Sequence, residues 1–223
     1  MKRVLPLLLL AFLMCQCDSQ NSQNKPNEAQ GQTAQNKSNE KSLRDQYPEK
    51  FTEDYIGIRT LKLADDLCNC DPQNVYSFNN VFTKEYGDLL KEALALPEGI
   101  DGDGPSAGLW IEFAGELCTL LAATDVNVND NKAKVIVDSE YYDKDEVDLV
   151  FTDGEWLIDN LGKCSKTFLK DKIQESRKYY KSINWLDLIH ELEERGYDKD
   201  DAVEASEGLK EQIETYFKYY PDK

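Results

Sequence analysis

The chain has 223 residues and six cysteines, and its 43 Asp and Glu outweigh 26 Lys and Arg to give a formal net charge of -17. An acidic balance of this size argues against nucleic acid, whose phosphates are bound by clustered Lys and Arg, and it disfavours anionic lipid headgroups. Solubility is its plainest physical consequence.

Residues 1–3 give a short basic start with Lys2 and Arg3, and residues 4–14 form an uncharged, Leu-dense run broken only by Pro6. This is the layout of a secretory signal, and the run is shorter than the ~20 apolar residues that span a bilayer. Cys15 and Cys17 follow at once, with no good small-x-small cleavage site before them. In these residues the chain resembles bacterial lipoproteins, in which signal peptidase II cuts before a cysteine that then carries lipid. The residues before the two cysteines, Met14 and Gln16, are larger than the small residue usual there. Cys17 is the favoured acylation site because the polar stretch begins directly after it, and Cys15 is the alternative. The competing reading is an ordinary secreted protein cut near Ser19. The resemblance implies residues 1–17 as signal peptide and a mature protein held at a membrane of the bacterial cell envelope, on its periplasmic or outer-membrane surface.

Residues 18–50 are Gln, Asn, Ser and Lys with almost nothing apolar, so they predict a disordered tether without a hydrophobic core. Their charges balance, which leaves the net negative charge on the remainder. That remainder is long enough for one domain with appended elements: residues 51–183 as the domain and 184–223 as a helical extension.

Beyond the signal lie Cys68, Cys70, Cys118 and Cys164. In an exported protein an even number of cysteines favours disulfides over zinc. Cys68 and Cys70 are one residue apart, where a mutual bridge is strained, so each is expected to reach Cys118 or Cys164. Loops of that length contribute roughly 3 to 4 kcal/mol each on the chain-entropy model. A redox or metal role for Cys68-Asn69-Cys70 is the sharper alternative, but no His lies nearby and no second pair matches its spacing.

In chain order, residues 51–67 read as helix, with Thr52 as cap and Glu53 and Asp54 in the first turn. Residues 81–96 read as a second helix, capped by Thr83, with Tyr86, Leu89, Leu90, Ala93 and Leu94 on one stripe and Pro97 at its end. A Gly-rich loop over 99–108 precedes an apolar stretch, 110–124, whose later half is expected to be strand. The period then becomes two: Val135, Val137, Ser139 and Tyr141, then Val147, Leu149 and Phe151, then Trp156 and Ile158. Asp130-Asn131 and Thr152-Asp153-Gly154 are the turns of an antiparallel meander, and the Asp-Gly pair is the strongest hairpin signal in the chain. Three helical segments follow. Ser165 caps one bearing Phe168, Leu169, Ile173 and Tyr180, and Asn184 caps 185–195 before Gly196 stops it. Asp198 opens the last, whose Ala202, Ala205, Leu209, Ile213, Tyr216, Phe217 and Tyr220 share a face.

Helices followed by a meander, and above all residues 131–161 with Asp153-Gly154-Glu155-Trp156-Leu157-Ile158-Asp159, resemble the nuclear-transport-factor-2-like, cystatin-like superfamily, and within it domains of unknown function in envelope lipoproteins. The resemblance covers about residues 51–182. It implies an α+β fold in which a curved antiparallel sheet is wrapped by helices into a cone with a pocket inside. Trp110, Tyr141, Phe151 and Trp156 are expected near that interior, as core or as pocket lining. Enzymes of the superfamily place acids and bases in the cone, whereas many relatives are binding modules, so the fold alone decides no chemistry. Asp138, Asp148 and Asp159 are the acids within the meander. Asp138 and Asp148 alternate against the apolar residues and are expected on a solvated outer face.

Other candidate chemistry is sparse. His190 is the one histidine, so a multi-His metal site is excluded, and no Gly-x-Ser-x-Gly elbow accompanies it. A surface or interhelical role is the plainer reading. Asp101, Asp103 and Glu112 fall at positions one, three and twelve of a calcium loop, but Pro105 and Ser106 stand where a ligand and the turn glycine belong. Asp125, Asn127, Asn129 and Asp130 read as turn residues. The aromatic last helix, with Tyr216, Phe217, Tyr219 and Tyr220, is expected to dock on the domain or face a partner.

No cofactor and no metal are implied. The favoured expectation is a non-catalytic binding or interaction module, attached to the membrane through its N-terminal lipid and recognising a small molecule or another envelope protein. The alternatives are a carboxylate-dependent hydrolase or isomerase in the cone, and an acidic inhibitor or immunity-type protein of a basic partner.

Overall fold

Two tight turns organise the sheet. Asp130 (φ 52°) joins the first two strands, and Asp153 (φ 53°) with Gly154 (φ 82°) joins the last two. Asp tolerates the left-handed region better than most residues and Gly enters it without steric cost, so these are the positions where a two-residue reversal forms. In this computed structural model, which describes residues 42–68, 80–102, 109, 118–140 and 144–222, the strands are β1 (Leu120–Asn129), β2 (Lys132–Ser139), β3 (Asp145–Thr152) and β4 (Glu155–Leu161). They pair in the order β1-β2-β3-β4, each antiparallel to the next. Val135, Val137, Val147, Leu149, Phe151, Trp156 and Ile158 turn to the buried face, which is the predicted meander.

Two details depart from the expected pattern. Asp125, Asn127 and Asn129 belong to β1 rather than to a turn, opposite Ile136, Lys134 and Lys132. They are exposed and alternate with Val126 and Val128, which pack against the core. Four polar residues around two valines have the composition of a turn, and only pairing with β2 makes their alternation decisive. In β4, Asp148 faces Asn160 while Leu149 faces Ile158, so Asp159 is the extra residue of a β-bulge.

The helices are α1 (Leu43–Gln46), α2 (Glu53–Cys68), α3 (Lys84–Leu94), α4 (Lys166–Ser182), α5 (Trp185–Glu194) and α6 (Lys199–Tyr219), with a 3-10 turn over Pro48–Phe51. The predicted caps form: side chains of Thr83, Ser165, Asn184 and Asp198 accept backbone N–H groups at the starts of α3, α4, α5 and α6. Thr52 likewise accepts the Tyr55 N–H at 3.2 Å. Residues 81–83 are not helical as predicted. They run beside β4, with Phe82 bridged in parallel to Ile158 and hydrogen bonds of 2.8 Å from Thr83 N to Ile158 O and from Ile158 N to Val81 O.

Residues 43–50, which composition assigns to the end of the tether, form a short α-helix and a 3-10 turn that runs on into Phe51. Phe51 is buried, and its ring lies 4.7 Å from Phe151 and 5.1 Å from Trp156, while Tyr47 lies 5.4 Å from Phe151. The Trp156 indole N–H donates to the Lys50 carbonyl at 2.7 Å, and Lys50 Nζ donates to the Gly154 carbonyl at 2.8 Å. A burial-driven aromatic cluster thus extends order N-terminally from 51. The described residues fall within one compact unit. Leu209, Ile213 and Tyr216 of α6 belong to the same hydrophobic cluster as Trp156 and Leu149, so the C-terminal helices share the domain's core. The architecture is α+β: a four-strand antiparallel sheet packed with helices, followed by C-terminal helices.

Candidate functional site

The expected interior aromatics divide. Phe151 and Trp156 are 2% and 0% exposed and fill the core against Phe51; Trp110 and Tyr141 lie outside the described residues. Cys118 is in a disulfide, whereas Cys164 carries a buried thiol, so the predicted use of all four cysteines in two bridges is not met at Cys164. Cys164 packs in the core where β4 turns into α4, and its carbonyl accepts the Tyr86 hydroxyl at 2.7 Å. Cys15, Cys17, Cys70 and the Cys68 side chain lie outside what is described.

His190 is an exposed residue of α5, its Nδ1 3.4 Å from Glu193. Asp101 is bonded by Arg195 and Tyr197, which occupies the carboxylate that a calcium loop would need; Asp103 and Glu112 lie outside the described residues. Asp148 is 3.8 Å from Lys134 on the face of β3 opposite Val147 and Leu149, and Asp138 falls on the matching face of β2. Asp145 is buried at the start of β3, where its Oδ1 accepts the Glu146 N–H at 2.8 Å and its Oδ2 has no hydrogen-bond partner among the described residues. Among the described residues no group of three or more His, Cys, Asp and Glu could hold a metal, and no helix is long and apolar enough to cross a membrane.

The concavity that gathers charge lies elsewhere, between α3, α4 and the end of α6. In α4 the residues Lys166, Lys170, Arg177 and Lys181 recur at helical spacing and fall on one stripe, an unusual concentration of positive charge in this acidic chain. Each meets an acid from another element. Lys166 Nζ is 2.8 Å from both Glu85 and Asp159, Lys170 is 3.4 Å from Glu85, and Arg177 Nη2 is 2.7 Å from Glu92. Arg177 Nη1 and Lys181 Nζ reach Asp222 at 3.0 and 2.6 Å. Asp159 can be reached because the bulge re-aims it, and it also accepts the Thr83 hydroxyl at 2.6 Å. The stripe borders an open groove of about 740 Å³, lined in part by Leu89, Glu92, Lys170, Arg177 and Tyr220.

Arg177 is the centre of this arrangement. Besides its two carboxylates it donates from Nε to the Tyr216 hydroxyl at 3.1 Å and from Nη2 to the Tyr220 carbonyl at 2.8 Å, and it stacks 5.3 Å from the Tyr216 ring. Tyr216 in turn donates to Glu92 at 3.1 Å. Burial, reinforced by Glu92, pushes the Tyr216 hydroxyl above the usual tyrosine range, so it stays a neutral donor. Burial acts against the charge of Arg177, yet the hydrogen bond to Glu92 and the Glu92 charge outweigh it and the guanidinium is held charged.

The hydrogen bond from Lys166 holds Glu85 below the usual carboxylate range, and that from Lys181 does the same for Asp222. Carboxylates lowered in this way are weak bases, whereas acid–base catalysis near neutral pH needs a carboxylate raised toward that pH. Sequence reading missed the groove because α4 and its acidic partners lie 81 to 85 positions apart at Glu85–Lys166 and Glu92–Arg177. The legible signal was the basic stripe itself. No family model, curated protein or solved structure matches the chain.

Proposed function

We propose that the chain is a lipid-anchored bacterial envelope protein whose folded part is a non-catalytic binding or interaction module of nuclear-transport-factor-2-like type. Its support at the N-terminus is the apolar leader closing on Cys15 and Cys17, followed by the polar stretch from residue 18. The observation that carries the binding reading is the split between core and concavity. Phe51, Phe151 and Trp156 fill the apolar side of the meander, while the open groove lies on the other side of α3, walled by charges already fixed in place by ion pairs. Pre-positioned charges beside apolar Leu89 suit a ligand with one charged group and an apolar body.

The test is crosslinking in living cells with a photoreactive amino acid at Gln174, in the hollow along α4 that adjoins the groove, and, as control, at Glu211 on the exposed side of α6. A specific adduct at 174 that is absent at 211 supports the reading. Substrate turnover abolished by Asp138→Asn or Asp148→Asn would instead favour a carboxylate-dependent hydrolase or isomerase and overturn it.

A further inference from the structure

Asp222 follows α6, carried past its end by Tyr220 and Pro221, yet both its carboxylate oxygens are held by α4. Oδ1 accepts from Arg177 Nη1 at 3.0 Å and Oδ2 from Lys181 Nζ at 2.6 Å. Both cations also lie on the Phe217 ring, at 5.6 and 5.5 Å from its centroid. The guanidinium does not depend on Asp222 for its position, because Nε and Nη2 are tied to Glu92 at 3.2 and 2.7 Å. Asp222 itself is loosely kept: its side chain is 57% exposed, and it follows the last helix in neither helix nor strand. An ion pair this exposed is weak, since water and salt screen it and holding the side chains costs entropy.

We propose that Arg177 Nη1, Lys181 Nζ and the Phe217 ring form a seat for the carboxylate of a small organic acid, which Asp222 occupies as an internal stand-in and yields to ligand. This rests on the reading of the folded part as a binding module. The planar group is selected because each cation takes one oxygen of the pair. A second negative charge on the ligand would meet Glu92 beside the seat and the field of a chain with a net charge of -17. Ile173 and Leu89 line the adjoining groove and offer an apolar wall to the stem of such an acid.

Butyrate is the probe, titrated into the full chain by saturation-transfer NMR and calorimetry, with inorganic phosphate and butyramide as comparisons. Asp222→Asn removes the competing charge at an exposed position and keeps the shape, so butyrate should bind it about fivefold tighter than the parent chain. Adding Lys181→Met to that variant should cost about tenfold in affinity, and butyramide should not bind. Equal affinity for parent and Asp222→Asn, indifference to Lys181→Met, phosphate binding as tight as butyrate, or a folded Asp222→Asn that binds no butyrate would each overturn the seat. Loss of the seat with an adduct at position 174 intact leaves the binding-module reading standing. Butyrate binding with no adduct at 174 leaves both the seat and the binding-module reading standing and removes only a macromolecular partner at that face.

Discussion

The indole N–H of Trp156 donates to the carbonyl of Lys50 at 2.7 Å, joining residues 106 positions apart. This bond fastens the last residues before the domain onto the β3–β4 hairpin, and the Phe51 and Tyr47 rings complete the contact. Trp156→Phe keeps an aromatic ring but deletes the donor and some volume, and it should lower unfolding stability by about 2 kcal/mol. Hydrogen exchange should show the loss locally, as faster exchange over residues 43–51 than in the parent. Unchanged exchange there would mean that the segment is held by its rings alone.

Glu155 joins the same contact through hydrogen bonds from Tyr55 at 2.9 Å and Lys50 at 3.3 Å. Burial acts to raise its pKa, but the two donors and the nearby positive charges outweigh burial and leave it below the usual glutamate range. A carboxyl lowered on folding contributes stability that is present above its unfolded pKa, about 4.3, and is lost as pH falls through the lower folded value. Denaturant titrations should therefore show acid destabilisation below about pH 4.3 that is smaller in Glu155→Gln. An identical acid limb in the two proteins would remove Glu155 from the account.

At alkaline pH the sign reverses. Burial raises Tyr180, Tyr216 and Tyr220, with added repulsion from Tyr216 at Tyr180 and from Glu92 at the other two. A tyrosine raised on folding contributes stability that is complete below its unfolded pKa, about 10, and is lost as pH rises toward the folded value. Phenolate absorbance should accordingly develop in two stages, with the late stage coincident with loss of the near-ultraviolet circular dichroism signal. A single stage with the fold intact contradicts the burial of these hydroxyls.

At Gly57 α2 lies close against β1, since a Cβ added there would stand 3.1 Å from the Ala123 Cβ. Gly57→Ala gains helix propensity of about 1 kcal/mol and offsets that gain with the close contact, so it should be near neutral. Gly57→Val adds two methyl groups to the same gap and should destabilise by roughly 1 to 3 kcal/mol. Thermal denaturation of the two variants checks the difference, and equal melting temperatures would mean that α2 moves aside freely.

Much of the fold was legible because its signals are local. The Asp153-Gly154 turn requires a positive φ at both positions and places the residues that adopt it, and Ser165, Asn184 and Asp198 cap the helices they precede. What was hidden depends on partners distant in sequence. The helical turns at residues 43–51 have too few apolar residues for a periodic signal, and their contacts are with Phe151 and Trp156, about a hundred positions away. The strand at Asp125–Asn129 reads as a turn until Lys132, Lys134 and Ile136 pair with it. The groove was not read from the sequence, because Glu85, Glu92 and Asp222 reach the Lys and Arg residues of α4 only through tertiary structure. Cys164 shows the same limit, since an even cysteine count carries no information about which thiol is packed inside the core.

The central claim is attachment to the envelope by lipid, and labelled palmitate tests it most directly, fed to cells making the chain, its Cys17→Ser variant and its Cys15→Ser variant. The account predicts label in the membrane fraction for the parent and for Cys15→Ser, and its loss in Cys17→Ser. An unlabelled chain that stays in the cytosol with residues 1–17 still attached would contradict it.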